Sequence, residues 1–211
     1  MSHTFQEETW SGKFGNEYTE RNTFDIEQLN NLYIKNYGVT REQMNLEFIG
    51  ELSTDLKILE VGTNSGNQLA LLQKMGFKNL YGIEINEHAV ELARQRLRGI
   101  NIIHGSAFDI PFKDNYFDIV YTAGVLIHVS NQDVNNVISE MYRCSKKYIW
   151  GFEYFSDEAK EVSYRGNTNL LWKADFSDLF RKSFPDLKLL KEKKYKYLNI
   201  DNVDVMYLMA K

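Results

Sequence analysis

The sequence predicts an α/β fold, a Rossmann-like, doubly wound sheet with helices on both faces. Lys57-Ile-Leu-Glu-Val61 is an apolar run typical of a buried strand, and a turn with two glycines, residues 62–66, leads from it into a helical pattern. Strand-like and helix-like segments then alternate along the chain, which is typical of a parallel sheet. The last two strand-like segments, 187–198 and 203–210, follow each other as an antiparallel pair. We therefore expect a seven-stranded sheet, mostly parallel, with the last strand antiparallel.

Composition favours a single cytoplasmic enzyme-sized domain without membrane association. The chain has 211 residues and only two prolines, as expected for one folded domain. Its net charge of −4 argues against nucleic acid as a partner. Its single cysteine, Cys144, fits a reducing compartment, and we see no secretion signal or membrane-spanning run. The oligomeric state is not predicted by these features.

Residues 1–53 are expected to form an N-terminal helical cap or lid, and residues 54–211 the main domain. Thr40 and Gln43 have the spacing of a capping box at the start of a helix. Between Trp10 and Asn22, glycines, aromatics and charges mix without a clean period. Two interpretations stay open for this segment: an arm packed onto the core, or a lid over a ligand.

The glycine turn indicates which ligand the sheet binds. A dinucleotide fingerprint starting at Gly62 needs glycine where the chain has Asn64 and Asn67, and no Gly-Lys-Ser/Thr of a P-loop follows Gly66. Glu60 places a carboxylate at the strand end, which suits a positively charged ligand. S-adenosylmethionine, with its ammonium and sulfonium, is such a ligand.

The pattern Glu60-x-Gly62-x-x-x-Gly66 resembles the first motif of class I S-adenosylmethionine-dependent methyltransferases. It departs from that motif at Asn64, where the family usually has glycine; asparagine tolerates unusual backbone angles. The resemblance implies the cofactor S-adenosylmethionine and no metal. It assigns to the cofactor the residues Glu60, Gly62, Thr63, Asn64, Gly66, Glu84, Ile85, Ser106, Ala107, Phe108 and Thr122.

Glu84 ends the second predicted strand, 79–85, about 20 residues after the turn, a spacing that suits a carboxylate on the ribose hydroxyls. Asn86 is expected to cap the next helix. After the third strand, 100–104, the resemblance places the adenine at Ser106, Ala107 and Phe108. Ser106 stands where many members have aspartate.

The acceptor side follows the fourth and fifth predicted strands, 117–122 and 147–154. His128 is a candidate base, although a histidine that orients the loop is the slightly favoured alternative, and Tyr154 is a second catalytic candidate. Ser130 is expected to cap the helix after this loop. We expect in-line methyl transfer in which positioning of the acceptor supplies most of the catalysis.

An insertion near residues 155–176 is too irregular for core and is expected to contact the acceptor. Candidate acceptor-binding residues are Trp10, Tyr18, Tyr164 and Arg165. Arg165 suits a carboxylate or phosphate, with a surface salt bridge as the alternative. The lysine-rich run 181–196 is typical of an edge strand, with RNA binding as a minority alternative.

Across most of its length the chain resembles methyltransferases associated with pseudaminic acid biosynthesis. The matching pieces are Thr9–Asn22, Tyr164-Arg-Gly166, Leu171–Phe176 and Asp204–Tyr207. This resemblance implies a small-molecule acceptor, a sugar or nucleotide-linked sugar of a bacterial surface-glycan pathway. The alternatives are a non-catalytic S-adenosylmethionine-binding partner protein, or a methyltransferase acting on RNA or protein; a nicotinamide oxidoreductase is a weaker competitor.

Overall fold

A computed structural model describes residues 4–211, which separate into two compact units, Met1–Ala107 and Phe108–Lys211. Residues 1–3 of the predicted cap lie outside the described part. The helices are α1 (Phe5–Ser11), α2 (Lys13–Arg21), α3 (Ile26–Tyr37), α4 (Arg41–Ile49), α5 (Asn67–Lys74), α6 (Glu87–Arg96), α7 (Val134–Cys144) and α8 (Phe176–Ser183). The strands are β1 (Lys57–Val61), β2 (Asn79–Glu84), β3 (Asn101–His104), β4 (Phe117–Ala123), β5 (Ser145–Tyr154), β6 (Lys160–Glu161), β7 (Trp172–Lys173), β8 (Lys188–Lys196) and β9 (Val203–Ala210).

The first unit contains helices α1 to α6 and the parallel strands β1, β2 and β3. β2 is the middle of the three, with Leu80 opposite Ile58 of β1 and Tyr81 opposite Asn101 of β3. Four of the five residues of β1 are buried, as expected for a parallel strand that is covered on both faces. The carboxyl ends of the three strands therefore lie side by side.

The second unit contains β4 to β9 with α7 and α8. β4 and β5 are parallel, β9 pairs with β5 in the antiparallel sense, and β8 pairs with β9. The full order of the seven-stranded sheet is β3-β2-β1-β4-β5-β9-β8. The predicted fold, a mostly parallel seven-stranded sheet with the last strand antiparallel, is confirmed.

The lysine-rich run forms the edge strand β8. Eight of its nine residues are exposed, and only Tyr195 is buried. Lysines along an edge oppose pairing with another strand, because their charges would have to be brought together without water. The prediction of an edge strand is confirmed.

Three helix starts were predicted from capping residues, and two are correct. Thr40 and Gln43 form the predicted capping box at α4, and the Asn86 side chain accepts from the Ala89 N–H at α6. The Ser130 cap is wrong. Its hydroxyl donates to the Asp133 carboxylate at 2.6 Å, and α7 begins only at Val134. The Ser130 hydroxyl therefore bonds within the turn before α7 and does not accept from an N–H group of the helix.

The insertion near residues 155–176 has some order of its own. β6 and β7 pair as a two-stranded antiparallel sheet, and Tyr164 forms an isolated bridge with Asn167.

No helix within residues 4–211 is long and apolar enough to cross a membrane.

Candidate functional site

The turn after β1 has the backbone of a ligand-binding loop. Gly62, Asn64 and Gly66 all lie in the left-handed region, with φ of 72°, 49° and 80°. Asparagine is among the few side chains that tolerate this region, so Asn64 keeps the turn where the resembling family has glycine. The N–H groups of Gly62 and Thr63 both donate to the Ile83 carbonyl, at 2.8 and 3.1 Å. The loop is thus tied to the end of β2.

Glu60 is buried in β1 and is 3% exposed. One of its carboxylate oxygens accepts the Thr63 hydroxyl at 2.8 Å. This bond links the predicted charge-binding residue to the predicted cofactor loop. A buried carboxylate favours a cationic neighbour, because few water molecules are present to screen it.

Glu84 ends β2 with both carboxylate oxygens engaged. Oε2 accepts the Asn64 N–H at 2.8 Å and Oε1 accepts the Asn86 N–H at 2.9 Å. Burial raises the pKa of Glu84, and these N–H groups together with His104 oppose the rise. A carboxylate offers about four lone-pair positions, which leaves capacity to accept from a hydroxyl group of a ligand as well.

The residues after β3 lie next to the end of β2. His104 contacts the Ile85 carbonyl at 2.9 Å through Nε2, and the Gly105 N–H donates to the Glu84 carbonyl at 2.9 Å. The Ser106 hydroxyl donates to the Glu7 carboxylate at 2.5 Å. Ala107 ends the first unit, and Phe108, which begins the second, is half-buried.

The N-terminal arm, defined as α1 and α2, contacts the cofactor loop through polar groups. The Asn86 amide donates to the Trp10 carbonyl at 3.0 Å and to Asn16 Oδ1 at 2.8 Å. The Thr19 hydroxyl donates to Asn64 Oδ1 at 2.7 Å. The rings of Trp10 and Tyr18 meet edge to face with centroids 5.2 Å apart. The two candidate acceptor-binding residues of the arm therefore lie together.

The segment between α2 and α3 is also bound to the start of α5. The Asn67 amide donates to the Asn22 carbonyl at 2.6 Å, and Asn67 Oδ1 accepts the Phe24 N–H at 3.1 Å. Arg96 donates to the Ser65 carbonyl at 2.8 Å and also to the Phe24 carbonyl. Asn67, which excludes a dinucleotide fingerprint, thus holds the segment between α2 and α3 to the start of α5.

In the second unit, Glu153 is a buried carboxylate that the sequence analysis did not assign to the site. It is 1% exposed and accepts the Val125 and Ile127 N–H groups at 3.2 and 3.5 Å. Burial raises the pKa of Glu153 to about 7. Thr122 and Tyr207, both fully buried, are its neighbours on β4 and β9. Glu153 therefore holds the loop that leads to His128.

His128 is held in one orientation by the insertion. Its Nδ1 lies 2.6 Å from the Leu170 carbonyl, so Nδ1 carries the hydrogen and Nε2 the lone pair. Burial lowers the pKa of His128 to about 4. The ring is neutral at pH 7, and its low basicity makes it a poor general base.

Tyr164 and Arg165 form the tip of a tight hairpin. The Tyr164 and Asn167 backbones exchange hydrogen bonds of 2.9 and 3.0 Å, with Arg165 at φ 51° and Gly166 at φ 79° between them. A two-residue turn of this kind favours asparagine or glycine at its first position, so arginine there is strained. The guanidinium lies 6.0 Å from the Tyr164 ring centroid, and that ring lies 5.2 Å from His128.

Tyr154, at the end of β5, belongs to a polar cluster that the sequence analysis missed. Lys173 Nζ lies 5.4 Å from its ring centroid and also contacts Asn202. The Asn202 amide donates to the buried carboxylate of Asp204 at 3.3 Å. These residues are far apart in sequence, and no local pattern connects them.

Each unit thus brings several predicted site residues together. In the first, Glu60, the glycine turn, Glu84 and Ser106 lie at the neighbouring ends of β1, β2 and β3. In the second, the Tyr164 ring lies between its neighbours His128 and Arg165. The buried carboxylates and the left-handed loop fit a cationic adenosine cofactor. Within residues 4–211 no cluster of three metal-ligating side chains occurs.

Comparison with known proteins agrees with this geometry. Residues 59–148 match a family described as a methyltransferase domain. The phosphoethanolamine N-methyltransferase of Plasmodium falciparum is 24% identical over 201 residues, which are 84% of this chain and 75% of that protein. The 24-methylenesterol C-methyltransferase 2 of Arabidopsis thaliana is 30% identical over 137 residues, 57% of this chain and 37% of that protein.

Among solved structures, the 1,6-didemethyltoxoflavin-N1-methyltransferase of Burkholderia thailandensis has the same fold, with a TM-score of 0.65 and 11% identity. The match covers 81% of this chain and 76% of that one, which holds 1,6-didemethyltoxoflavin and S-adenosylhomocysteine. Residues 59–148 thus resemble a methyltransferase domain in sequence, and the chain shares the fold of this solved methyltransferase.

Proposed function

We propose that the protein methylates a small molecule that carries a carboxylate or phosphate, a sugar or nucleotide-linked sugar of a bacterial surface-glycan pathway of the pseudaminic acid type. Arg165 at its strained hairpin tip is the observation that carries this proposal. Backbone strain persists where the surrounding structure maintains it, and it concentrates at functional sites. Arg165, at φ 51°, sits beside Tyr164 and one ring away from His128. A guanidinium fork matches planar oxyanions.

The first unit supplies most of the cofactor-binding residues in this proposal. S-adenosylmethionine provides, when bound, an electrophilic methyl carbon on a sulfonium. Glu60 faces the cationic end, Glu84 accepts the ribose hydroxyls, and the loop around Asn64 offers backbone groups. Ser106 and Ala107 contact the adenine. Phe108 and Thr122, which belong to the second unit, are cofactor residues by the sequence resemblance alone. The residues that resemble the methyltransferases associated with pseudaminic acid biosynthesis include the arm and the hairpin. This resemblance supports a role for both in the reaction.

The second unit orients the acceptor. His128 is a positioning residue in this proposal, because its pKa of about 4 leaves little basicity and Leu170 fixes its ring. Tyr154 lies at the end of β5 in this unit. Trp10 and Tyr18, which belong to the first unit, are acceptor-binding residues by the sequence analysis alone. An acceptor that is already nucleophilic needs orientation more than a base, so this arrangement favours positioning as the main source of rate.

The test compares matched acceptors. The protein is incubated with S-adenosylmethionine and one acceptor at a time, and the release of S-adenosylhomocysteine is measured. The first pair of acceptors is a nonulosonic acid and its neutral methyl ester. The second pair is a nucleotide-linked sugar and the free sugar. Arg165→Met should lower kcat/KM on the anionic acceptors by about 10- to 100-fold. The neutral acceptors should lose far less.

Arg98→Met, which changes another exposed arginine, is the matched control and should leave both rates unchanged. Equal losses on charged and neutral acceptors would contradict the role of Arg165. Binding of S-adenosylhomocysteine without turnover of any acceptor would favour a non-catalytic partner protein. Transfer of labelled methyl groups into RNA or protein fractions would favour the macromolecular alternative.

A further inference from the structure

The N-terminal arm places a carboxylate beside the loop that follows β3. Glu7 Oε1 accepts the Ser106 hydroxyl at 2.5 Å, and Glu7 Oε2 accepts the Thr4 N–H at 2.9 Å. The second bond belongs to a capping box that fixes the start of α1. Glu7 and Ser106 are 99 residues apart, so tertiary structure alone brings them together.

The position of Glu7 follows from the order of the strands. β2 lies between β1 and β3, and neighbouring strands are about 4.8 Å apart. If Glu60 on β1 faces the cationic end of the cofactor and Glu84 on β2 the ribose, the base extends toward the end of β3. Gly105 holds that loop against β2 through its bond to the Glu84 carbonyl.

The chemistry at this place suits the exocyclic amine of adenine. An amine donates hydrogen bonds and needs an acceptor, and the Ser106 hydroxyl, which donates to Glu7, could accept only as a neutral oxygen. Both oxygens of the Glu7 carboxylate accept hydrogen bonds here, from Ser106 and from Thr4, and a carboxylate oxygen can accept more than one. A bond to a carboxylate is also stronger than one to a hydroxyl, because the acceptor is charged.

We propose that Glu7 accepts the exocyclic amine of the cofactor's adenine, and that Ser106 is a positioning residue that aims the Glu7 carboxylate. Glu7 thereby provides from the arm the carboxylate that position 106 lacks. The inference rests on the assignment of Glu84 to the ribose made above. It also gives the arm a specific task in binding the cofactor.

The test uses base analogues and no acceptor. Calorimetry on the full chain measures the dissociation constants of S-adenosylhomocysteine and S-inosylhomocysteine, in which an oxygen replaces the amine. The wild type should prefer the adenine compound by about 10- to 100-fold, since the oxygen would face a carboxylate. Glu7→Ala should remove most of this preference, and Glu8→Ala, on the exposed face of α1, should leave it unchanged.

A second variant tests whether Glu7 recognises the adenine or only holds the arm in place. In the double variant Glu7→Ala with Ser106→Asp, a carboxylate returns at position 106, and the preference for adenine should recover. The proposal is overturned if Glu7→Ala weakens both ligands equally, or if the wild type shows no preference. A wild type that binds neither compound would instead refute the cofactor assignment, and failure to find an acidic acceptor affects neither result.

Discussion

The contribution of Glu153 to the stability of the protein should fall between pH 5 and pH 8. The ordinary pKa of a glutamate side chain is 4.5, but the pKa of Glu153 is about 7 in the folded chain. The cause is burial, since the side chain is only 1% exposed. A raised pKa means that the protonated form fits the folded state better. The favourable contribution is therefore complete below pH 4.5 and is lost as the pH rises through 7.

The size of the effect follows from the pKa difference. One pKa unit corresponds to about 1.4 kcal/mol, so the full change is about 3 kcal/mol and about 2 to 3 kcal/mol falls between pH 5 and pH 8. In the folded chain the neighbouring groups keep one protonation state in this window. His128 has an ordinary pKa of 6.5 when the chain is unfolded, but it affects the wild type and a Glu153 variant alike and cancels in their comparison. Burial raises the pKa of Tyr207 well above its usual value, and the pKa of His128 is about 4.

The assay is urea unfolding of the wild type and Glu153→Gln at several pH values. Glutamine cannot ionise, so the free energy of unfolding of the wild type should fall relative to the variant by about 2 to 3 kcal/mol from pH 5 to pH 8. Glu158→Gln, at an exposed carboxyl group, should follow the wild type throughout. Parallel curves for wild type and Glu153→Gln would refute the reasoning.

Three further predictions follow from the same geometry. Glu84→Gln should weaken S-adenosylhomocysteine binding by about 1 to 3 kcal/mol in calorimetry, because the ribose loses a charged acceptor. Gly66→Ala should lower the free energy of unfolding, measured in urea, by about 1 to 3 kcal/mol more than Gly99→Ala. Both glycines have positive φ, but a Cβ at Gly66 would lie 2.3 Å from Leu97 Cδ1 and one at Gly99 meets only Gln73 at 3.8 Å. Arg165→Asn should raise the free energy of unfolding by about 0.5 to 1 kcal/mol, since asparagine suits the left-handed turn, while kcat/KM on acidic acceptors falls.

Each of these has a matched comparison. Glu87→Gln, an exposed carboxyl group at the start of α6, should leave cofactor affinity unchanged, and equal affinity in Glu84→Gln would contradict the ribose assignment. Equal losses at Gly66 and Gly99 would mean that backbone angle alone decides the cost. A less stable Arg165→Asn would show that arginine is not strained at the hairpin tip.

Local patterns predicted the features that depend on neighbouring residues. The strand, glycine turn and helix around Gly62, the Thr40 capping box and the Asn86 cap all involve groups within a few positions of each other. The Ser130 cap failed for an equally local reason. Its hydroxyl bonds to Asp133 instead of to a helix N–H, and both choices satisfy the same short sequence pattern.

Contacts between distant segments were beyond such patterns. Alternation along β5 shows that Glu153 and Tyr154 point to opposite faces, but only the pairing with β9 buries Glu153. Arg165 at the tip of a tight turn contradicts the usual preference for asparagine or glycine there, so no turn rule predicts it. The Glu7 carboxylate reaches Ser106 only through the folded arm.

Strand-end carboxylates in this chain hold the protein's own loops. Glu84 accepts N–H groups from the loops after β1 and β2, and Glu153 accepts two from the loop after β4. Burial raises the pKa of both. They differ in access, because Glu84 is 9% exposed and Glu153 only 1%. We therefore expect a ligand to bind at Glu84 rather than at Glu153, whose part in the proposed function is to position the loop after β4.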